Sequence, residues 1–358
     1  PIMSDKVDVL PVSTKPTTRV AQSLPGIRCG IFFFPFKYIA LILLLLQTTT
    51  VVLVMRYSLK PKSGDEVHYI KTTAVVMSEL FKIVASVILL GNERRLGVLE
   101  LFSYLNQEIV INWRKSLLLG VPAGLYTLQN NLLFVALQNL DGATYQVTYQ
   151  LKILTTALFS VTMLRKQLNS TKWISLLILT AGVACVQRAQ LTSKPVETKE
   201  GSSFVGLTAV LAACCTSGFA GVYFEKILKG TKESVWLRNV QLALFSIVLG
   251  SIGCFYNDGD AIQQDGFFQG YSNLVWMVVA LQGLGGLVIA TVIKYADNIL
   301  KSFAVSISII ITGLVSYVFM GDFELTNNFF AGALLVMLAT FLYGSDLQLC
   351  APKVTKRP

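Results

Sequence analysis

Two lysines stand inside apolar runs, each behind a leucine: Tyr149-Gln150-Leu151-Lys152-Ile153 and Asn298-Ile299-Leu300-Lys301-Ser302. Each is followed by an apolar stretch dotted with Ser and Thr, reaching Ser160 in the first case and passing through Ser306 and Ser308 in the second. A charge at membrane depth is costly and marks a functional site by default. Two such charges at matching places in two halves suggest a repeat transporter with a central anion site.

The residues around Lys152 add a ring-binding chemistry. Tyr145, Tyr149 and Lys152 fall at i, i+4 and i+7, one stripe of a helix. Two aromatic faces leading to an ammonium suit a ring joined to a phosphate; a lysine that snorkels to the headgroups is the competing reading. Tyr126 and Asn130 also share a helix face. They suit stacking on and hydrogen-bonding to a planar base, or equally helix–helix hydrogen bonding. Ser217, Gly218 and Gly221 leave one face nearly bare, open to a ligand or to another helix. Glu79 and Lys82, three apart, form an intrahelical pair or point into a cavity and meet sugar hydroxyls; the cost of burying even a paired charge favours the cavity. Glu225 and Lys226 read as a gate or as an ordinary surface pair.

The elements that must position these groups are membrane helices. Of 358 residues 53% are hydrophobic and only 14% charged, where soluble domains are nearer a quarter charged. Apolar runs of about 20 residues, enough to cross a bilayer, recur along the chain. The net charge of +10 does not point to nucleic acid, because the basic residues lie between the spans. Ten spans are expected: 37–57, 72–91, 115–138, 142–164, 172–188, 203–225, 235–256, 271–293, 297–320 and 327–346. The stretch 96–113 reads as a short interfacial helix. Residues 1–36 read as a disordered tail with no cleavable signal peptide, and the Pro1-Ile2-Met3 opening fits a native start at Met3 or a processing scar. Residues 37–188 form a first five-helix half and 189–202 a linker. Residues 203–347 form the second half and 348–358 a tail.

Orientation follows from Lys and Arg. With the N-terminus in the cytosol, cytosolic segments hold most basic residues, among them Arg94, Arg95, Arg114, Lys115, Arg165, Lys166, Lys229 and Arg238. Both termini are then cytosolic and 189–202 is lumenal. Five spans per half is odd, so the second half is inserted upside down, and the spans holding Lys152 and Lys301 become counterparts of opposite direction. Lys152 lies about ten residues into its span and Lys301 about five, so their depths differ.

Several other patterns carry less. The six cysteines show no metal-ligand spacing and read as small apolar packing. The single histidine, His68, assembles no catalytic or metal site, and no cofactor is expected. Asp258-Gly259-Asp260 reads as a turn. Asn169-Ser170-Thr171 matches a glycosylation acceptor on the side where it would go unused. Gly283, Gly285 and Gly286 read as helix packing.

These motifs resemble the Golgi nucleotide-sugar transporters, in the branch for UDP-N-acetylglucosamine, UDP-galactose and CMP-sialic acid. The resemblance covers residues 37–347. It is carried by Thr72-Thr73-Ala74-Val75-Val76, Tyr126 to Leu132, Ala143 to Ser160, Ser217 to Lys229, Val235-Trp236-Leu237-Arg238-Asn239 and Lys294 to Lys301. It implies an all-α polytopic membrane protein of the drug/metabolite transporter type, ten spans as a five-plus-five inverted repeat. It implies strict exchange of a nucleotide sugar for a nucleoside monophosphate across the Golgi membrane, and no enzymatic activity. By resemblance, Lys152 and Lys301 hold the phosphates, and Tyr126 and Asn130 face the base. Tyr145, Ser217, Gly218, Gly221 and Asn239 line the nucleoside and phosphate region, with Tyr149 on the same aromatic stripe. Glu79 and Lys82 lie towards the sugar. Ser302 departs from the family, which usually has glycine there. Thr127 to Leu133 and Gly285 to Ala290 look closest to UDP-N-acetylglucosamine members, with UDP-galactose or a dual specificity as the near alternative and CMP-sialic acid further off. The expected partners are the nucleotide sugar, the monophosphate and the bilayer, with a homodimer or a complex with glycosyltransferases left open. A membrane glycosyltransferase would need an acidic cluster, and the spans offer chiefly Glu79. An anion channel would share the lysines but show no trans stimulation.

Overall fold

The structure is a computed structural model and describes residues 26–29, 32–58, 69–191, 202–320 and 325–345. It is helical apart from one hairpin, β1 (Gly26–Cys29) with β2 (Phe32–Pro35), antiparallel with Ile27 opposite Phe34. The hairpin corrects the expected disordered tail at residues 26–29 and 32–35. The run Phe32-Phe33-Phe34 is of the aromatic kind that favours strands, and the prolines of the tail hid it. The rest of the tail, residues 192–201 of the expected linker, residues 321–324, His68 and the end of the chain lie outside the described residues.

The helices are α1 (Phe36–Ser58), α2 (Lys71–Arg94), α3 (Val98–Leu105), α4 (Trp113–Asn139), α5 (Gly142–Tyr149), α6 (Lys152–Leu164), α7 (Ser170–Leu191), α8 (Ser203–Gly230), α9 (Val235–Asp265), α10 (Asn273–Tyr295), α11 (Asn298–Val315) and α12 (Asn327–Gly344). π-helical turns extend α3 to Ile111 and α11 to Met320. Among the described residues nine helical segments, with α5–α6 taken as one, are long and apolar enough to cross a bilayer. α4 has 27 residues, about 40 Å of helix, but Gln129, Asn130, Asn131 and Gln138 dilute its apolar character.

The surface is inverted relative to a water-soluble protein. Large apolar side chains such as Ile42, Leu46, Val84, Ile88 and Phe341 are exposed, while Thr73, Ser86, Ser160, Gln241 and Glu225 are buried. So much exposed apolar surface belongs against lipid tails. The interfacial stretch fits the same picture, with Val98, Leu99 and Phe102 almost fully exposed on α3.

The packing has an internal correspondence. α1 lies on α10 and α11; α8 lies on α4 and α6. α2 lies on α10, and α4 on α9. α2 pairs with α9, and α7 with α12. Exchanging α1 for α8, α2 for α9, α4 for α10, α5–α6 for α11 and α7 for α12 returns the same pattern. The α7–α12 pair is the tightest of these junctions: a Cβ built on Gly182 would lie 3.0 Å from the Gly332 carbonyl, and one on Gly332 would lie 2.7 Å from the Gly182 carbonyl. Glycine at both places lets the two backbones touch.

Two boundaries differ from expectation. α9 does not stop at 256; it bends at Asp258 (φ −123°, ψ 17°) and continues to Asp265. Asp258 is therefore a kink inside a helix rather than a turn, and its carboxylate accepts from the Thr72 hydroxyl. Asn169 uses its side chain as a cap, accepting from Lys172 N at 3.0 Å at the start of α7.

Candidate functional site

The span expected as one helix over 142–164 is two helices, α5 and α6, and the second begins at Lys152. Around the join the bonds tighten to i→i−3: Gln150 N to Val147 O at 3.2 Å, Leu151 N to Thr148 O at 3.0 Å, Ile153 N to Gln150 O at 3.0 Å. Neighbours cover the loosened carbonyls, as they must in a membrane interior. The Cys214 thiol of α8 donates to Tyr149 O at 3.5 Å, and Thr155 Oγ1 donates to Cys214 O at 2.8 Å. Thr156 Oγ1 donates to Lys152 O at 2.7 Å. Lys152 thus occupies the first position of a half-helix. Lys301 is the fourth residue of α11, whose start is capped by Asp297, accepting from Leu300 N at 2.8 Å. The unequal depths read from sequence conceal a shared setting: each lysine stands in the first turn of a helix, where the free N–H groups and the dipole already favour an anion.

Both lysines line one cavity, together with Tyr126, Ser217 and Gly221 among the expected residues. α4, α5–α6, α7, α8 and α11 all contribute to it. Lys166, just past the end of α6, lies 3.2 Å from Asp297 at the start of α11, so α6 and α11 run in opposite senses. Along α11 the wall is Asn298, Lys301, Ser302, Val305, Ser306 and Ile309, a stripe about 16 Å long at 1.5 Å per residue. Ser302 donates to Asn298 O at 3.0 Å, so its hydroxyl is folded back on the helix.

The aromatic stripe is present and ordered. Tyr145 and Tyr149 stack at 5.9 Å with 9° between their planes. Lys152 Nζ lies 4.1 Å from the Tyr149 ring centroid, a cation–π contact. Gln129 Nε2 donates to the Tyr149 hydroxyl at 2.9 Å. Tyr145 and Tyr149 both pack against the cluster of Ala136, Leu140 and Ala209, and neither lines the cavity.

Other expected site residues lie elsewhere. Asn130 is exposed and absent from the cavity wall; its neighbour Gln129 turns inward instead. Gly218 is a packing residue, because a Cβ there would lie 2.7 Å from Thr155 Oγ1 and 2.9 Å from backbone atoms of α6. Asn239 is buried in α9 away from the wall, and its amide nitrogen has no hydrogen-bond partner among the described residues. Glu79 and Lys82 form the intrahelical pair, with Lys82 Nζ 2.6 and 2.8 Å from the two carboxylate oxygens. Lys82 is buried against Gly286 of α10, which corrects the expected cavity position: the bare glycine face gives the lysine stem room beside its own partner.

Sequence reasoning missed four polar wall residues. Gln150 and Gln187 join α5–α6 to α7, with Gln150 Nε2 donating to Gln187 Oε1 at 2.5 Å. Thr156 and Asn298 complete the set. Amides at membrane depth are rare enough to have flagged Gln187, which sits near the end of its span. Glu225 is fully buried and bonds to Lys166 and Lys229 rather than to the exposed Lys226.

A cavity inside a membrane bundle, set with two ammonium groups, a tyrosine and amides, has the chemistry to hold a phosphorylated ring compound. A solved crystal structure shares the fold, with a TM-score of 0.60 at 16% identity over 86% of this chain and 96% of that one. The UDP-N-acetylglucosamine transporter of Homo sapiens is 56% identical over 88% of this chain and 97% of its own length. The UDP-N-acetylglucosamine/UDP-N-acetylgalactosamine transporter of Caenorhabditis elegans is 50% identical over 87% and 94%. The UDP-galactose translocator of Mus musculus is 48% identical over 86% and 78%. A family model described as nucleotide-sugar transporter matches residues 33–344, and the chain therefore belongs to the nucleotide-sugar transporter family.

Proposed function

We propose that this transporter is an antiporter that brings a UDP-sugar, UDP-N-acetylglucosamine first, into the Golgi lumen in exchange for UMP. The observation that carries this reading is the pair Lys152 and Lys301, each in a helix first turn, on one cavity wall. UDP-galactose is the second substrate to test, given the 48% identity to a translocator of that sugar.

Charge explains why the two cargoes can share a site. UMP carries about −1.5 to −2 at neutral pH, and the diphosphate of a UDP-sugar carries roughly the same. Either one neutralises two ammonium groups. An empty site leaves two buried cations uncompensated, which is costly in low dielectric. The return step is then favoured only when a phosphate travels with it, and that is antiport. Tyr126 on the cavity wall supplies a flat face for uracil, and the Tyr149 ring holds the Lys152 ammonium beside it.

The movement we propose is rocking of two five-span inverted repeats about the cavity. The exchangeable packing pattern and the opposed α6 and α11 support it. α4 is the tenth span. Both termini face the cytosol, which puts Arg94, Arg95, Arg114, Arg165 and Lys166 on the cytosolic side. In that orientation Asp297 and Glu225 lie at the cytosolic end of the cavity.

The test is a trans-stimulation panel in proteoliposomes preloaded with UMP, comparing UDP-N-acetylglucosamine, UDP-galactose, CMP-sialic acid and GDP-mannose. Uptake of a UDP-sugar that depends on internal UMP is expected. Uptake indifferent to UMP, or driven instead by a proton gradient, refutes the exchange.

A further inference from the structure

Glu225 is a fully buried carboxylate with four partners. Its Oε1 lies 2.9 Å from Lys166 Nζ and 2.8 Å from Lys229 Nζ. Its Oε2 accepts from Asn298 N at 3.0 Å and from Asn298 Nδ2 at 3.1 Å. One side chain therefore ties α8 to the start of α11 and to the turn after α6. Secondary bonds close the same knot: Lys166 to Asp297 at 3.2 Å, Lys229 Nζ to Ala296 O at 2.6 Å. The turn is made for it. Arg165 adopts a left-handed backbone (φ 53°) that stops α6 and turns the chain to present Lys166. Two lysines, Glu225 and Asp297 sum to no net charge, so the knot holds itself without the cargo.

The knot is also a wall of the site. Asn298 lines the cavity, and its amide is shared between Glu225 Oε2 and Gly221 O, the latter at 2.6 Å. Lys301 follows one turn later on the same helix. Glu225 thus occupies the N-terminal pole of the very helix that offers Lys301 to the cargo.

We infer that Glu225 is a latch that keeps the cytosolic end of the cavity shut while the site is empty, and that a phosphate bound at Lys301 loosens it. The inference rests on the exchange reading and supplies its strictness. A helix N-terminus favours an anion within its first turn only. A bound phosphate and the Glu225 carboxylate compete for that pole of α11 and repel each other across it. With cargo present, Glu225 loses its hold on Asn298, and α8, α11 and the Lys166 turn are free to part. With no cargo nothing contests Glu225, the latch stays closed, and the empty carrier does not return. Coupling of this kind needs only a differential interaction of the ligand with the latched and unlatched states.

The test compares UMP-stimulated with unstimulated UDP-N-acetylglucosamine uptake in proteoliposomes. Glu225→Gln keeps the shape and removes the charge. Its unstimulated uptake should rise relative to exchange, so that the stimulation ratio drops roughly five-fold or more. Lys166→Gln, at the more accessible side of the knot, should move the ratio the same way if Glu225→Gln does not fold. A reporter cysteine, Ala296→Cys, buried beside the knot and off the cavity wall, reads the latch in a chain whose cavity residues are unaltered. Its labelling by a membrane-impermeant thiol reagent from the Lys166 side, measured as the difference from the parent chain, should be slow without UMP and quicker with it. Variants that exchange at wild-type rates with the wild-type ratio, or cysteine labelling that ignores UMP, overturn the latch. Wild-type protein that shows no UMP-stimulated uptake at all refutes the exchange reading instead, and the two failures are distinct.

Discussion

Lys152 is the first residue of α6 and Lys301 the fourth of α11, and both line one cavity although 149 positions separate them in the chain. On the proposed function, this relationship ties the interrupted span to cargo binding. A continuous helix over 142–164 would leave Lys152 mid-helix, with its backbone N–H spent on the preceding turn. Breaking the span places it at a helix start, where charge and dipole act together.

Lys152→Ala and Lys301→Ala should each lower exchange by about 30-fold or more, the effect of losing a desolvated charge pair worth about 2–5 kcal/mol. Equilibrium binding of UMP to purified protein should weaken in parallel. Wild-type exchange in both variants removes the phosphate assignment.

Acidity should act through the cargo. The second ionisation of a phosphomonoester lies near about pH 6. Below it UMP becomes a monoanion and matches only one of the two ammonium groups. UMP-stimulated uptake should therefore fall as the UMP side is taken from about pH 7.5 to about pH 5.5. Stimulation by internal UDP-sugar, whose diphosphate does not titrate there, should hardly change over the same range. Equal sensitivity of the two would count against charge matching.

Glu79 and Lys82 should behave as a structural pair. Glu79→Gln leaves Lys82 buried against Gly286 with no counter-charge and should cost about 3–5 kcal/mol of stability. The loss should appear as a lower melting temperature in detergent, and Glu79→Gln with Lys82→Met should recover most of it. A raised KM at normal melting temperature would restore the sugar-side role.

Gly218 and Gly250 offer a paired test of close packing. A methyl group at Gly218 meets the α6 backbone at 2.9 Å, whereas at Gly250 the nearest atom beyond its own helix backbone is 3.8 Å away. Gly218→Ala should destabilise by about 1–3 kcal/mol and reduce transport, with thermal melting as the readout. Gly250→Ala should be close to neutral.

Much of this was legible in the chain itself. The spans follow from runs of apolar residues, and Lys152 and Lys301 announce themselves because charge at that depth needs a reason. The break before Lys152 was not legible. Tyr149-Gln150-Leu151 contains neither Pro nor Gly, and it is the Cys214 thiol on Tyr149 O and the Thr155 and Thr156 hydroxyls on Lys152 O that make the interruption tolerable. Helix faces were the other blind spot. Gln129 and Asn130 are adjacent amides about 100° apart around α4, and which one faces the tyrosines is decided by packing. Glu225 could be read beside Lys226 as a gate or as a surface pair, and the choice stayed open because two of its partners, Lys166 and Asn298, are 59 and 73 positions away.

The junction of Gly182 with Gly332 bears on how such a machine turns. Two backbones in direct contact, with Val186 and Val336 filling the flanks, cannot slide without opening voids along both helices. In the rocking movement proposed above, this α7–α12 contact would serve as the axle about which the two halves turn, set by a pair of missing side chains.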